Sequence, residues 1–499
     1  MSSSYELAAV LLVVAATVFI GAFGLRLSRT TSDFYVASRT VSPLWNASAI
    51  GGEYLSAASF LGIAGLVLVH GADMLWLPVG WAGGYLILLV LVSAPLRRSG
   101  AYTLPDFAEA RLESMRVRRT ASVLVILIGW LYLMPQFQSA GLVLRTLVDV
   151  PVWMGGLLVA SVVTVNVLSG GMRSITFVQA FQYWLKLTAL AVPVVFLLLA
   201  WRADGAPGIA DQDWLLPLEG SRDHPVYATY SLILATFLGT MGLPHVLVRF
   251  YTNPDGRAAR RTTLAVLSLL GMFYLLPALY GALGRIYAPD LAATGGGDAV
   301  VLTLPGRVIG GMAGDLLGAL VTAGAFAAFL STSSGLTVSV AGVLAQDILG
   351  GGVRSFRLAT LIAVVVPLAL AAAARSLPVA DVVGLAFAVA ASSFCPLLVL
   401  GVWWRRLTET GALAGLLVGG GLACGAVIWT IASGPLDGWQ GALLAEPAAW
   451  TVPIAFGVMV ATSLLTPGRI PAGVARTMVR LHAPEALDVD RGDWRPRRS

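Results

Sequence analysis

The stretch WNASAIGGEYLSAASFLGIAGLVLVH, residues 45–70, decides the fold. Its apolar and small residues form a run long enough to cross a bilayer core of ~30 Å at ~1.5 Å per helical residue. A carboxylate, Glu53, nevertheless lies near its middle, directly after Gly51 and Gly52. A charged group at this depth costs ~2.5–3.5 kcal/mol, so it indicates a cavity, a bound ion or a buried partner. The glycine pair favours an unwound helix with free carbonyls, and an intact helix whose Glu53 bonds a neighbour is the alternative.

The composition is that of a polytopic membrane protein. Hydrophobic residues make up 57% of the 499 residues, charged residues only 12%, and the mean hydropathy is +0.82. A soluble domain carries ~25% charged residues. The net charge of +6 comes almost entirely from arginines in short loops between apolar segments, a pattern that indicates membrane topology and not a nucleic-acid surface.

Several kinds of chemistry are excluded by what the sequence lacks. Lys186 is the only lysine and lies inside an apolar run, so there is no GxxxxGK[ST] loop to bind ATP. The histidines show no HExxH spacing, and Cys395 and Cys424 lie in apolar segments as expected of core residues. GGGD at 295–298 has no partner aspartate, so we do not expect an enzyme, and no cofactor is predicted.

Thirteen apolar segments are expected to span the membrane, and the first is kept as a span because it lacks a basic signal-peptide region. They are 6–27, 45–70, 74–96, 120–147, 152–169, 174–201, 226–252, 260–284, 308–336, 356–375, 378–403, 411–433 and 449–466. With the N-terminus outside and the C-terminus inside, most basic residues fall inside. The exceptions are Arg145, Arg202, Arg222, Arg285, Arg307 and Arg375. The connector 101–119 is expected to form a surface amphipathic helix starting at the Thr103–Pro105 turn.

Two interrupted segments point to an inverted repeat. The second segment is expected to break at Gly51–Ser56, and the seventh carries GTMGLPH at 239–245. They lie five spans apart and each opens a set of five, which is typical of inverted five-helix repeats with a site between them, although two unrelated kinks are the alternative. The expected units are an N-terminal helix and loop (1–44), a first repeat (45–202), an outside loop (203–225), a second repeat (226–403), two peripheral helices (404–467) and a cytoplasmic tail (468–499), disordered at its end.

Four motifs resemble the sodium/solute symporter family, most closely its acetate-permease-like branch. They are DFYVASRTVSPLWNASAIGGEYLSAASFLGIAGLV (33–67), GGMRSITFVQAFQ (170–182), GTMGLPHVLVRFYT (239–252) and AAFLSTSSGLTVSVAGVLAQDIL (327–349). The resemblance covers residues 30–405 and implies an all-α fold with a 5+5 inverted-repeat core, one helix before the core and two after it. It also implies a sodium site between the first and eighth core helices.

Carried onto this chain, the sodium ligands are the carbonyls of Gly52 and Leu55 with Ala328, Ser331 and Thr332 of the A-x-x-S-[ST] pattern. Carbonyl and hydroxyl oxygens suit a hard cation. Taken alone, serine or threonine in a membrane helix more often bonds its own backbone. Two departures stand out. Phe177-Val178-Gln179 replaces the W-T-D of many sugar transporters of the family, and Glu53 stands where acetate-like members carry Asp, which leaves proton coupling open.

Solute is expected near the midplane, between the broken helices and segment 120–147. Gln136 and Gln138 bring two amides to membrane depth near Pro135, and only one can face the pocket because they are ~200° apart on the helix. Gln136, which flanks the kink, is favoured. The other pocket candidates are Glu53, Ser56, Thr240 and Met241, with Tyr183 or Trp130 as a gate. Free N–H groups at the second break are expected to hold a carboxylate without an arginine, and Lys186 to snorkel or to pair with a carboxylate.

These features predict a secondary transporter in the cytoplasmic membrane of a bacterium. It would couple Na⁺, or alternatively H⁺, to symport of a small monocarboxylate such as acetate, propionate or pyruvate by alternating access. Another small solute, an amino acid such as proline or a sugar, is the alternative. The expected partners are the anionic solute, the coupling cation and the lipid bilayer.

Overall fold

The computed structural model describes residues 2–25, 42–216, 218, 224–373, 378–434 and 436–484. It is 87% helical, with no strand in those ranges. The predicted inside position of Arg26, Arg29 and Arg39, the predicted outside position of Arg222 and Arg375, and the predicted disorder at the end of the tail all concern residues outside these ranges.

The helices run along the chain in a simple order. They are α1 (Ser2–Leu25), α2 (Pro43–Tyr54), α3 (Ile63–His70), α4 (Trp76–Ile87), α5 (Ser93–Ser99), α6 (Leu104–Leu112), α7 (Met115–Val148), α8 (Val152–Ala203), α9 (Gln212–Leu215), α10 (Pro225–Gly242), α11 (Pro244–Phe250), α12 (Gly256–Tyr287), α13 (Asp290–Ala293), α14 (Val300–Val308), α15 (Gly311–Val343), α16 (Val353–Ala373), α17 (Val379–Trp403), α18 (Glu409–Ser433), α19 (Gly438–Ala445), α20 (Ala448–Leu465) and α21 (Val474–His482). Short π-helical turns precede α3, join α4 to α5 and follow α15.

Twelve helical stretches of the described chain are long and apolar enough to cross a membrane. The difference from thirteen lies in the predicted span 45–70, because α2 and α3 are each shorter than a span and the stretch Ala58–Ser99 joins α3 to α4 and α5. The predicted all-helical polytopic fold is confirmed. The exact count and the orientation with the N-terminus outside remain predictions.

Both predicted helix interruptions are present. The first broken helix, α2–α3, loses helical geometry at Leu55 (φ −74°, ψ 83°) and Ser56. The second broken helix, α10–α11, is interrupted at Leu243 in extended geometry, directly before Pro244. Proline removes a backbone donor and disfavours the helical region for the residue before it, which explains the second break.

The glycines before the first break have a different role from the one predicted. Gly51 and Gly52 lie within α2, and a Cβ on Gly52 would overlap the backbone carbonyl of Gln179 on α8. A Cβ on Gly51 would lie 2.8 Å from the ring of Tyr183. These two residues therefore allow α2 to approach α8 closely, and the helix itself breaks about one turn later, at Leu55 and Ser56.

The connector before α7 is a buried helix, so the predicted surface position is wrong. Helix α6 begins at a capping box between Thr103 and Asp106, as expected from the turn, and it ends at Leu112 because Glu113 is left-handed (φ 52°). Most of its side chains are buried. The two carboxylates of α6 form ion pairs with Arg118 of α7, whose guanidinium lies 2.8 Å from Asp106 and 2.6 Å from Glu109. Burial raises the pKa of Asp106 to about 6, although Arg118 opposes the change.

Candidate functional site

The carbonyls freed at the first break receive a lysine. The Nζ of Lys186, on α8, donates to the carbonyl of Gly52 at 2.5 Å, to the carbonyl of Leu55 at 2.7 Å and to the Oγ of Ser331 on α15 at 3.0 Å. Lys186 is completely buried, so the predicted snorkelling is wrong. Three of the five residues predicted to bind Na⁺ therefore contact an amine through their oxygens.

The remaining predicted sodium ligands lie on the same helix turn. Ser331 Oγ donates to the carbonyl of Ala328 at 3.1 Å, and Thr332 Oγ1 donates to the carbonyl of Glu53 at 2.6 Å. Thr332 thus contacts the first broken helix at a carbonyl other than the two that bond to Lys186. Together these bonds hold α15 against the break.

A sodium ion does not fit this arrangement while Lys186 is charged and in place. Two unit charges 4 Å apart repel by ~4 kcal/mol at an effective dielectric constant of 20. That energy corresponds to roughly a thousandfold in an equilibrium constant. Na⁺ binding at these oxygens requires Lys186 to lose its proton or move away.

Glu53 is buried and paired with an arginine that the sequence reasoning missed. Arg249, on α11, donates from Nε to Glu53 at 2.8 Å and from Nη1 to Thr176 Oγ1 at 2.7 Å, and its Nη2 donates to Gln179 Oε1. A Cβ on Gly335 would overlap the Glu53 carboxylate, so this glycine makes room for it. The ion pair joins the two broken helices, and it corrects the expectation that the site holds no arginine.

One signal for Arg249 was present in the sequence: it lies five residues after Pro244, inside an apolar run. Gln179, which corresponds by resemblance to the aspartate of many sugar transporters, accepts from Arg249 and donates from Nε2 to the carbonyl of Ser331 at 2.8 Å. An amide performs both tasks, whereas a carboxylate could only accept.

The two glutamines of α7 face different neighbours. Gln136 Oε1 accepts from the backbone N of Ala57 at 3.0 Å, an N–H left unpaired by the first break. Gln138 instead donates to a carbonyl of α16 at 3.1 Å, so the structure places it away from the break. Ser56 Oγ accepts a long bond of 3.4 Å from the hydroxyl of Tyr132 on α7.

A cluster of packed aromatic rings, here called the aromatic chamber, lies between the two broken helices, α4, α7, α12 and α17. Its rings belong to Tyr54, Trp81, Tyr85, Tyr132, His245, Tyr274 and Phe387, with neighbouring ring centroids 4.9–6.2 Å apart. Three of these side chains are buried without a hydrogen-bond partner in the described part of the chain: Trp81 at Nε1, Tyr85 at its hydroxyl and His245 at both ring nitrogens. Buried polar groups are rarely left unpaired, which makes these three side chains candidates for contact with a polar ligand group.

The other pocket candidates are divided between the chamber and its surroundings. Thr240 is bonded to the Tyr54 hydroxyl at 2.8 Å, and Met241 is buried beside the second break. Tyr183 lies outside the chamber, where its hydroxyl donates to the carbonyl of Leu269 on α12 at 3.1 Å. Trp130 is partly buried on α7.

Comparison with known proteins identifies relatives of the chain over most of its length. The model of the sodium:solute symporter family matches residues 34–419. The chain is 32% identical over 471 residues to the uncharacterized symporter YwcA of Bacillus subtilis (strain 168), covering 89% of this chain and 91% of the relative. It is 31% identical over 437 residues to a monocarboxylic acid transporter of Corynebacterium glutamicum, covering 79% of this chain and 78% of that relative.

Two solved structures share the fold at low sequence identity. A Na⁺-coupled sialic acid symporter in a substrate-bound outward-open state matches with a TM-score of 0.71 at 16% identity, covering 93% of this chain and 97% of that one. MhsT in complex with L-phenylalanine matches with a TM-score of 0.55 at 15% identity, covering 84% and 98%. The family resemblance of the motifs is confirmed, and membership implies a multi-pass transporter with Na⁺ as the coupling ion. This chain belongs to the sodium:solute symporter family.

Proposed function

We propose that this protein is a cation-coupled symporter for a small monocarboxylate such as acetate, propionate or pyruvate, in the cytoplasmic membrane of a bacterium. The observation that carries this proposal is the aromatic chamber with its unpartnered buried groups. Trp81 Nε1 donates only, the Tyr85 hydroxyl can donate, and a neutral His245 has one N–H. These donors suit carboxylate oxygens, and the rings suit a short apolar substituent.

The charge of the broken-helix site favours an anion as well. Among the described residues, its charged side chains are Glu53, Arg249 and Lys186. With Lys186 protonated, their formal sum is +1. One bound monocarboxylate neutralises this charge inside the membrane, where an uncompensated charge is costly. The relative from Corynebacterium glutamicum, which carries the name of a monocarboxylic acid transporter, supports the same solute class.

Alternating access would move one group of helices against another. We place the broken helices with α4, α5 and α12 in the moving bundle, and α7, α8, α15 and α16 in the scaffold. The hydrogen bonds that then cross between bundle and scaffold include those of Lys186 to Gly52, Thr332 to Glu53 and Ala57 to Gln136. A cation at the first break would stabilise the outward-open arrangement, and its loss to the cytoplasm would release the solute.

The solute class is best tested by counterflow, because counterflow needs no ion gradient. Proteoliposomes are loaded with unlabelled pyruvate and diluted into labelled pyruvate, with protein-free vesicles as the control. We expect transient labelled uptake that is competed by external acetate and propionate but not by proline or glucose. Competition by proline or glucose alone, or no counterflow with any of the three acids, would refute the monocarboxylate proposal.

A further inference from the structure

The bonds of Lys186 match the capacity of a protonated amine. A lysine ammonium has three N–H donors and no acceptor. Lys186 Nζ has three acceptors, which are the carbonyls of Gly52 and Leu55 and the Oγ of Ser331, at 2.5, 2.7 and 3.0 Å. Ser331 uses its own hydrogen on the carbonyl of Ala328, so its Oγ is free to accept. An uncharged amine has only two hydrogens, so it could satisfy all three contacts only if Ser331 turned its own hydrogen from Ala328 to the amine.

We infer that the ammonium of Lys186 takes the place of Na⁺ at the first break and that a proton is the coupling ion in this chain. The inference rests on the proposed cation-coupled transport. The family's ion is replaced by a cation that is covalently attached to the scaffold helix α8. The side chain contacts the first broken helix at the two carbonyls where an ion would link bundle and scaffold.

The coupling step is a proton transfer at one atom. With the inside open, the Lys186 ammonium releases H⁺ to cytoplasmic water and becomes a neutral amine with one N–H donor fewer. With the outside open, the amine takes H⁺ from external water and regains its third N–H donor. Each transport cycle therefore carries one H⁺ inward.

The neighbours of Lys186 leave it as the group that changes charge. The first broken helix presents Glu53, whose carboxylate is bonded by Arg249 of the second broken helix at 2.8 Å. From α15 the facing side chain is the neutral Ser331, and from α8 itself the residue one helical turn before is Tyr183, whose hydroxyl is bonded to α12. Because the Glu53 carboxylate is paired with Arg249, we assign the proton-coupling step to Lys186 and not to Glu53.

Measuring the pH inside proteoliposomes tests directly whether a proton is the coupling ion. Proteoliposomes containing a pH-sensitive dye, in buffer free of Na⁺, receive external pyruvate, and the change seen in protein-free vesicles is subtracted. We expect wild-type vesicles to acidify inside, the neutral isostere Lys186→Met to lose at least 90% of that rate, and the control Thr188→Val, on the exposed side of the same helix, to retain it. Acidification that persists in Lys186→Met, or wild-type acidification that is absent without Na⁺, would overturn the inference.

Sodium binding gives a readout that does not depend on the solute. Melting temperatures of detergent-solubilised protein are compared in NaCl and KCl at equal ionic strength. We expect no difference for wild type and a rise of several degrees in NaCl for Lys186→Ala, in which the three oxygens have lost their cation. A wild-type rise as large as that of Lys186→Ala, or no rise in a folded Lys186→Ala, would contradict replacement of Na⁺. If pyruvate counterflow failed while the melting temperatures of wild type and Lys186→Ala behaved as expected, the solute class would be wrong and the assignment of Lys186 would stand.

Discussion

Removing Arg249 should be among the most damaging single substitutions in this chain. Its guanidinium and the Glu53 carboxylate are 1% and 3% exposed and lie 2.8 Å apart, so Arg249→Met leaves a carboxylate buried without its counter-ion. Breaking a buried pair by removing one partner costs ~3–5 kcal/mol. The loss also removes the bonds to Thr176 and Gln179, which places the expected cost at the upper end.

A double-mutant cycle isolates the pair. Glu53→Leu combined with Arg249→Met replaces both charges by apolar groups, and such replacements are often close to neutral. We therefore expect the double variant to be more stable than Arg249→Met alone, with a coupling energy of ~3 kcal/mol. The free energy of unfolding is measured by chemical denaturation in mild detergent.

The matched control is Arg307→Met, which breaks an ion pair with Asp290 whose side chains are 40% and 57% exposed. Exposed pairs contribute little, so its unfolding midpoint should not move. If the two single substitutions at the buried pair were simply additive, or if Arg249→Met were no worse than Arg307→Met, the described role of this pair would be refuted.

Three further substitutions, two of them with a matched control, test other contacts of the structure. Gly335→Ala places a Cβ on the buried carboxylate and should lower pyruvate counterflow at least tenfold, whereas Gly342→Ala, on the same helix with open space around it, should retain it. Gln136→Leu removes the acceptor at the first break and should lower counterflow about tenfold, a loss of ~1.4 kcal/mol in line with one buried hydrogen bond, while Gln138→Leu should stay within about twofold. The pKa of Asp106 is raised from 3.8 to about 6 in the folded protein, so its contribution to stability is greatest below pH ~4 and falls by up to ~3 kcal/mol as the pH rises through 6. Asp106→Asn should remove this part of the pH dependence of the unfolding free energy, and an unchanged slope would contradict it.

The sequence predicted those parts of the fold that are encoded locally. The second helix break was predicted from Pro244, which explains it, whereas the first was predicted from Gly51 and Gly52, which lie inside α2 and allow close packing. The spans follow from unbroken apolar runs. The start of α6 followed from a turn and its cap. Whether α6 lies on the surface is decided by helices far along the chain, and there the prediction was wrong.

The chemistry of the site was harder to predict because its contacts are distant in sequence. Lys186 lies 134 residues from Gly52, and Arg249 lies 196 residues from Glu53. A lysine in an apolar run indicates that a partner exists but not that the partner is a set of backbone carbonyls. Helix geometry likewise showed that only one glutamine of α7 can face the break, and the packing of α16 determines that Gln138 is the other one.

Accumulation of pyruvate against its own gradient is the most direct test of coupled monocarboxylate transport. Labelled pyruvate is offered to proteoliposomes under an inward H⁺ gradient without Na⁺, or under an inward Na⁺ gradient at equal pH, with protein-free vesicles subtracted in each case. The proposals predict that the internal concentration transiently exceeds the external one under the H⁺ gradient and does not under the Na⁺ gradient. Accumulation of pyruvate under the Na⁺ gradient alone would mean that Na⁺ is the coupling ion. Simple equilibration of pyruvate under both gradients would contradict symport.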